Sequence, residues 1–172
     1  TGERLTRESF DHYREDNPRG TVIHHYLKEE WTRRAIAEPG VIIVSDLIAM
    51  QDRDKNVAPH NGAFTRILGR FVRERDVIEL MTALEKMTLL PARRLEKAAP
   101  AFKRKGRLQA GMDADITVFN PDTVIDRATY QKPYQEAVGL HAVLVNGTPV
   151  ILDGALVADT WPGERVLATG VA

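Results

Sequence analysis

Along the first half of the chain the hydrophobic positions change period repeatedly, and each change marks an element. Thr6 before RESFDHYRE predicts an N-capped helix to about Glu15, which Asn17-Pro18-Arg19-Gly20 ends. TVIHHYL (21–27) is β-branched and predicts a strand. KEEWTRRAIAE (28–38) predicts a helix with its acids first and its arginines later, the order the helix dipole favours, and Pro39-Gly40 stops it. VIIVSD (41–46) sets four apolar residues in a row before a polar pair, the pattern of a strand buried on both faces. Strand, helix and strand in succession predict a βαβ unit, its strands parallel and its crossover right-handed.

Residues 47–62 read as a long irregular loop, uncommon after a parallel strand unless it has a task. Asp76 is placed to cap a helix whose apolar positions are Val77, Leu80, Met81, Leu84 and Met87. Thr88 and Pro91 mark a further short helix with Leu95 facing inward. Near residue 100 the texture changes through the basic stretch LEKAAPAFKRKG, and strand rhythm follows. ITVF (116–119) is one strand, and Asn146-Gly147 and Asp153-Gly154 between apolar runs signal hairpins. Pro149 cannot donate to a ladder, so its strand is expected at an edge. The expected organisation is an α/β unit over 1–99 and a small β domain over 100–172.

Composition narrows the classes. Hydrophobic residues make up 43% of the 172 and charged residues 28%, the balance of a globular protein with a core. Lys plus Arg and Asp plus Glu number 24 each, so no global field draws the chain to nucleic acid or a membrane surface. No apolar run reaches the roughly 18 residues of a membrane span. With no cysteine there is neither a disulfide scaffold nor a thiolate metal site, which fits a cytoplasmic protein. TGERLTRESF has no signal-peptide core and no initiator Met, which suggests a cleaved or trimmed chain.

Asp46 stands out chemically. In parallel α/β folds, function gathers at the carboxyl ends of strands, and Asp46 ends the most apolar one, just before the longest loop. A carboxylate there can bind a metal, take a proton from an attacking water, or orient a substrate amine. The plain alternative is a turn cap, with Ser45 helping. His24 and His25 lie in the preceding predicted strand. At most one of two neighbours can face inward, and neither completes the three or four ligands a zinc site needs. His60 and Arg66 flank PHNGAFTRILGR, where an arginine could hold a substrate carboxylate in its fork. The plain alternative is a solvated loop. Lys103, Arg104, Lys105 and Arg107 read as a solvated linker, because few aromatic residues interleave with them.

The combination VIIVSD, NGAFTRILGRFVRE, LMTALEKMTLLPARRL, KGRLQAGMDADITVFNPDTVIDRATY and HAVLVNGTPVILDGALV resembles the C-terminal portion of D-aminoacylases (N-acyl-D-amino-acid deacylases) in the metal-dependent amidohydrolase superfamily. GxDADITVF is common to amidohydrolase tails, whereas FTRILGRFVRE with the VIDRATY and VNGTPV segments is narrower. The resemblance spans nearly all of the chain. It implies the last strands of a (β/α)8 barrel beside a small β-sandwich-type domain built from both chain ends. It implies zinc in the complete enzyme, with none tightly bound by this chain. Asp46 would be the aspartate of the eighth strand, taking a proton from metal-bound water and returning it to the leaving amine, with metal ligation a further role open to it. The substrate would be an N-acyl-D-amino acid, cleaved to a carboxylate and a free D-amino acid.

The chain also departs from that pattern. The family's His-x-His pair, bridging ligand and two later histidines have no counterpart here, and His24 and His25 match none of them. The usual glycine after the strand-end aspartate is Leu47, and the 47–62 loop differs. At 172 residues the chain is shorter than a closed barrel, which takes about 250, so it is expected to be inactive alone. Two other readings stay open. One is a non-catalytic binding or assembly module that associates through an exposed barrel edge at VIHHYL. The other is a different amidohydrolase chemistry, such as that of a dihydroorotase or a dipeptidase.

Overall fold

A computed structural model describes residues 3–20, 22–47 and 62–168. Helix α1 spans Arg7–Asp16, and Thr6 caps it as the sequence predicts. The cap is reciprocal: the Ser9 N–H donates to Thr6 Oγ1 at 3.1 Å and the Thr6 N–H to Ser9 Oγ at 2.8 Å. Helix α2 spans Glu29–Ala37, and the chain leaves it through a Pro39-Gly40 turn in which Gly40 has φ 78°. The Val41 N–H closes that turn on the Glu38 carbonyl at 3.4 Å, with glycine at the position that needs a positive φ.

The two predicted strands of the βαβ unit form no ladder among the described residues. Strand propensity becomes a strand only through a neighbour. Val22, Ile23, Tyr26, Leu27 and Val44 are instead exposed, Val44 at 67%, and of the run at 41–44 only Ile43 is buried. Neither the parallel pairing nor the two-faced burial expected of VIIVSD is present among the described residues.

Helix α3, Ala63–Arg66, continues directly into a π-helix, Ile67–Glu74. Ile67, Leu68 and Phe71 on it are buried, and with Ile36, Ile43, Ala83 and Val124 they form the core. The π-helix stops where Asp76 adopts φ 49° and the Val77 N–H folds back to the Phe71 carbonyl at 2.8 Å. Asp76 thus ends this helix rather than capping the next. Helix α4 begins three residues beyond the expected start and runs Leu80–Met87. Helix α5 follows at Leu89–Leu95 with Thr88 as its N-cap residue, and Leu95 is 42% exposed rather than facing inward.

After a 3₁₀ turn at Pro100–Arg104 the chain forms one antiparallel meander: β1 Ile116–Phe119, β2 Leu140–Val145, β3 Thr148–Leu152 and β4 Ala155–Leu156, in that spatial order. Asn146 (φ 47°) with Gly147 and Asp153 (φ 52°) with Gly154 make the two tight turns. The described residues hold this single sheet and no second layer of a sandwich. Pro149 lies in an inner strand, not at an edge. Its strand tolerates it because the register shifts at Val143/Leu144 on one side and β4 reaches only Ile151 and Leu152 on the other. Between β1 and β2, Val124 is fully buried in the core shared with α2, the π-helix and α4. Among the described residues no helix is long and apolar enough to cross a membrane.

Candidate functional site

Asp46 ends the Val41–Ser45 run, exposed and in the left-handed region at φ 52°. The Leu47 N–H donates to Ser45 Oγ at 3.3 Å, so the turn is closed by the serine. The run is held from beneath by α4, where the Ile43 N–H donates to the Lys86 carbonyl at 3.1 Å. Lys86 itself is buried, and its Nζ donates to the Glu38 carbonyl at the end of α2.

His24 and His25 are exposed, and the His25 ring meets Tyr130 edge-on with centroids 4.6 Å apart. Arg66 faces the segment after β1: its Nε donates to Asp126 Oδ2 at 3.1 Å, and its Nη2 to the same oxygen and to the Ala128 carbonyl at 3.0 Å. Asp126 is 8% exposed in its side chain. Nε and Nη2 of the guanidinium are therefore engaged within the chain, and among the described residues Nη1 meets no acceptor. His60 lies outside the described residues. No hydrogen bond or ion pair joins Asp46, Arg66, His24 and His25 to one another among the described residues.

The GMDADITVF motif proves to be a structural junction. Arg104 Nε meets Asp113 Oδ1 at 2.8 Å, and Lys105 Nζ lies 3.1 Å from Asp113 Oδ2 and 2.6 Å from Asp115 Oδ2. Asp115 Oδ1 accepts the Asn146 N–H at 2.9 Å and so braces the β2–β3 turn. Hydrogen bonds from Arg104 and Lys105 hold the Asp113 carboxyl below the ordinary carboxylate range. Burial pushes the Asp115 carboxyl up, but the Asn146 N–H and Lys105 outweigh it and bring the group below its ordinary value. Arg107 donates to Glu96 and to the carbonyls of Phe102 and Lys105. The basic run expected to be a solvated linker is thus largely an ion-paired one. A cleft of about 250 Å³ lies against α5 and this junction, lined by Met87, Pro91, Leu95, Phe102 and the Lys105–Asp115 pair. No sequence-predicted candidate lines it.

Sequence reasoning passed over Asp126, Asp115 and Lys86. Their partners lie far along the chain or on the backbone, and the one local signal was the repeated acid in GMDADITVF. As to metal, no three His, Cys, Asp or Glu side chains gather among the described residues, so these residues do not by themselves make a zinc site.

The family model described as "Amidohydrolase family" matches residues 32–151. D-aminoacylase of Alcaligenes xylosoxydans xylosoxydans is 37% identical over 169 residues, covering 96% of this chain and 32% of the relative. A crystal structure of D-aminoacylase superposes with a TM-score of 0.71 at 33% identity, over 82% of this chain and 28% of that one. N-acyl-D-glutamate deacylase from Bordetella bronchiseptica, solved with zinc and a phosphonate mimic of the tetrahedral intermediate, gives a TM-score of 0.64 at 41% identity, over 72% of this chain and 25% of its own. The chain spans between a quarter and a third of the length of these relatives. The matched segment contains Asp46, Arg66, Asp115 and Asp126. The chain belongs to the amidohydrolase family, on its D-aminoacylase branch.

Proposed function

We propose that this chain is the C-terminal part of a zinc-dependent hydrolase that cleaves the amide bond of N-acyl-D-amino acids. The supporting observation is a carboxylate, Asp46, held at the exposed end of Val41–Ser45 inside the family-matched segment. In this reading residues 21–27 and 41–46 are the last two strands of a (β/α)8 barrel, and residues from about 100 onward belong to the small β domain. The apolar side chains exposed at Val22, Ile23, Tyr26, Leu27 and Val44 are the flank that neighbouring barrel strands would cover.

Asp46 takes a proton from the attacking water as its oxygen bonds to the amide carbon. It then delivers that proton to the amine nitrogen as the carbon–nitrogen bond breaks, leaving a carboxylate and a D-amino acid. Among the described residues, Asp46 is the one that could ligate the zinc implied by the family, and the other ligands would come from elsewhere in the protein. His60 is kept as a substrate-side candidate. Arg66 is kept too, with Nη1 as the donor not committed to Asp126 or Ala128.

The test is hydrolysis by the protein that carries this chain. N-acyl-D-glutamate, N-acyl-D-aspartate and an apolar N-acyl-D-amino acid are compared with their L-enantiomers. Release of the D-amino acid is expected, with Asp46→Asn lowering kcat by roughly 10²- to 10⁴-fold. No turnover of any D-substrate, or an Asp46→Asn variant as fast as wild type, sinks the reading.

The same exposed flank also favours a second reading, an assembly module that pairs with a partner or with itself. Sedimentation of the isolated chain separates the two. A monomer that melts cooperatively argues against the module.

A further inference from the structure

Lys86 is 3% exposed on α4, and among the described residues no carboxylate pairs with it. A buried lysine without a counter-charge is costly, and an apolar side chain would fill the same space without that cost. The donor does have a partner, and the partner is informative. Nζ donates to the Glu38 carbonyl, the same oxygen that receives the Val41 N–H across the Pro39-Gly40 turn. This is one of the last carbonyls of α2, a group that no helical amide can satisfy. The main chain of Lys86 makes a second contact, since its carbonyl accepts the Ile43 N–H at 3.1 Å.

One residue of α4 therefore grips the chain twice, at the Glu38–Val41 turn and at the middle of the Val41–Ser45 run. Three residues further on, Asp46 sits at φ 52°, in the left-handed region that Asp and Asn enter more readily than other residues with a Cβ, so the direction of its side chain follows from where the preceding run ends. Among the described residues of this chain the backbone tie from Val41–Ser45 to another element is the one α4 makes at Ile43, and the Lys86 side chain adds a second tie at the turn before it.

We propose that Lys86 is a positioning residue for Asp46: its side chain locks the Glu38–Val41 turn and so sets the direction in which the Val41–Ser45 run delivers the carboxylate. The proposal rests on the deacylase reading above for its consequence in turnover, and on the 38–46 segment alone for its structural half.

The experiment compares Lys86→Met and Lys86→Arg with wild type and Asp46→Asn in the intact, zinc-loaded protein. Two readouts are taken, steady-state hydrolysis and hydrogen exchange of the peptide covering 38–46. Lys86→Met is expected to lower kcat by roughly 10- to 100-fold with KM within about twofold, because a misplaced shuttle acts on the transition state and not on substrate binding. Exchange should rise in 38–46 and stay unchanged in 140–156. Lys86→Arg, which keeps a donor, should recover most of the lost kcat.

Wild-type kcat in Lys86→Met, a loss matched by an equal rise in KM, or unchanged exchange in 38–46 overturns the proposal. If Lys86→Met does not fold, Lys86→Gln, which keeps a neutral donor, carries the same comparison. If wild type hydrolyses no N-acyl-D-amino acid, the deacylase reading fails by itself, and exchange in 38–46 still decides whether Lys86 holds the turn.

Discussion

Asp115 offers a quantitative test of the claim that the DAD motif is architecture. In Asp115→Ala two contacts are lost, the Asn146 N–H at 2.9 Å and Lys105 Nζ at 2.6 Å. A hydrogen bond to a charged group contributes about 1.5–3 kcal/mol when sheltered. Here the Asp115 side chain is 33% exposed and that of Lys105 24%, so the ion pair counts for no more than about 1 kcal/mol. Asn146 is exposed, so water can replace the lost acceptor. The expected cost of Asp115→Ala is therefore about 1–2 kcal/mol, and Asp115→Asn, which keeps an acceptor for Asn146, should cost about half of that.

The sign with pH follows from the lowered carboxyl. A group that holds its proton less tightly when folded adds stability above its unfolded value, near 4, and loses that contribution as pH falls through the folded value. The wild-type advantage over Asp115→Asn should thus be present at pH 7 and smaller near pH 3, which lies below the unfolded value. Urea unfolding midpoints of both proteins at the two pH values, at fixed low salt, measure it. Equal differences at the two pH values would refute the argument, because the charge would then play no part.

Further predictions follow from the core and the ion pairs. Gly139→Ala adds a Cβ that would meet Val124 backbone atoms at 2.5 Å, at φ 79°, and should destabilise by about 2–4 kcal/mol. A melting temperature within a degree or two of wild type would contradict it. Arg66→Ala strips the partner from Asp126, which is 8% exposed, and should cost about 1–3 kcal/mol, with Arg66→Lys recovering only part because it lacks the fork. Full recovery by lysine would show that charge alone suffices. On the deacylase reading, chelation should abolish hydrolysis by the protein that carries this chain, while the melting of the isolated chain stays unchanged, since its described residues gather no metal cluster. A chelator-dependent melt of the isolated chain would reveal ligands outside them.

What could be read in advance was whatever is encoded locally. Thr6, Pro39-Gly40, Asn146-Gly147 and Asp153-Gly154 act on their immediate neighbours, so α1, α2 and both tight turns were legible. Ile67, Leu68, Phe71 and Val72 are spaced as on one face of a helix, so this element was legible in principle, with Gly69 the residue that argued against it. Gly69 is there because a Cβ would meet the Val124 carbonyl oxygen at 2.5 Å. The runs at 21–27 and 41–46 carry strand propensity, and a strand also needs a partner, which no described residue of this chain supplies. Asp46 could be picked out because an apolar run stops there. Nothing local pointed to Asp126 as the partner of Arg66 across 60 residues, nor to Lys86 as a buried donor on a helix whose pattern placed it with the polar positions.

The order of strands in the meander also bears on the time course of folding. β2, β3 and β4 are joined by two-residue turns, so their pairings close almost as soon as they are nucleated. β1 reaches β2 only across residues 120–139, and closing a loop ten times longer costs about 2 kcal/mol more in chain entropy. Substitutions in Ile116–Phe119 should then leave the refolding rate nearly untouched and speed unfolding, whereas substitutions at Asn146-Gly147 should slow refolding. On this reasoning the first strand of the sheet in sequence joins it last, and the brace from Asp115 to Asn146 would be set only at that final step.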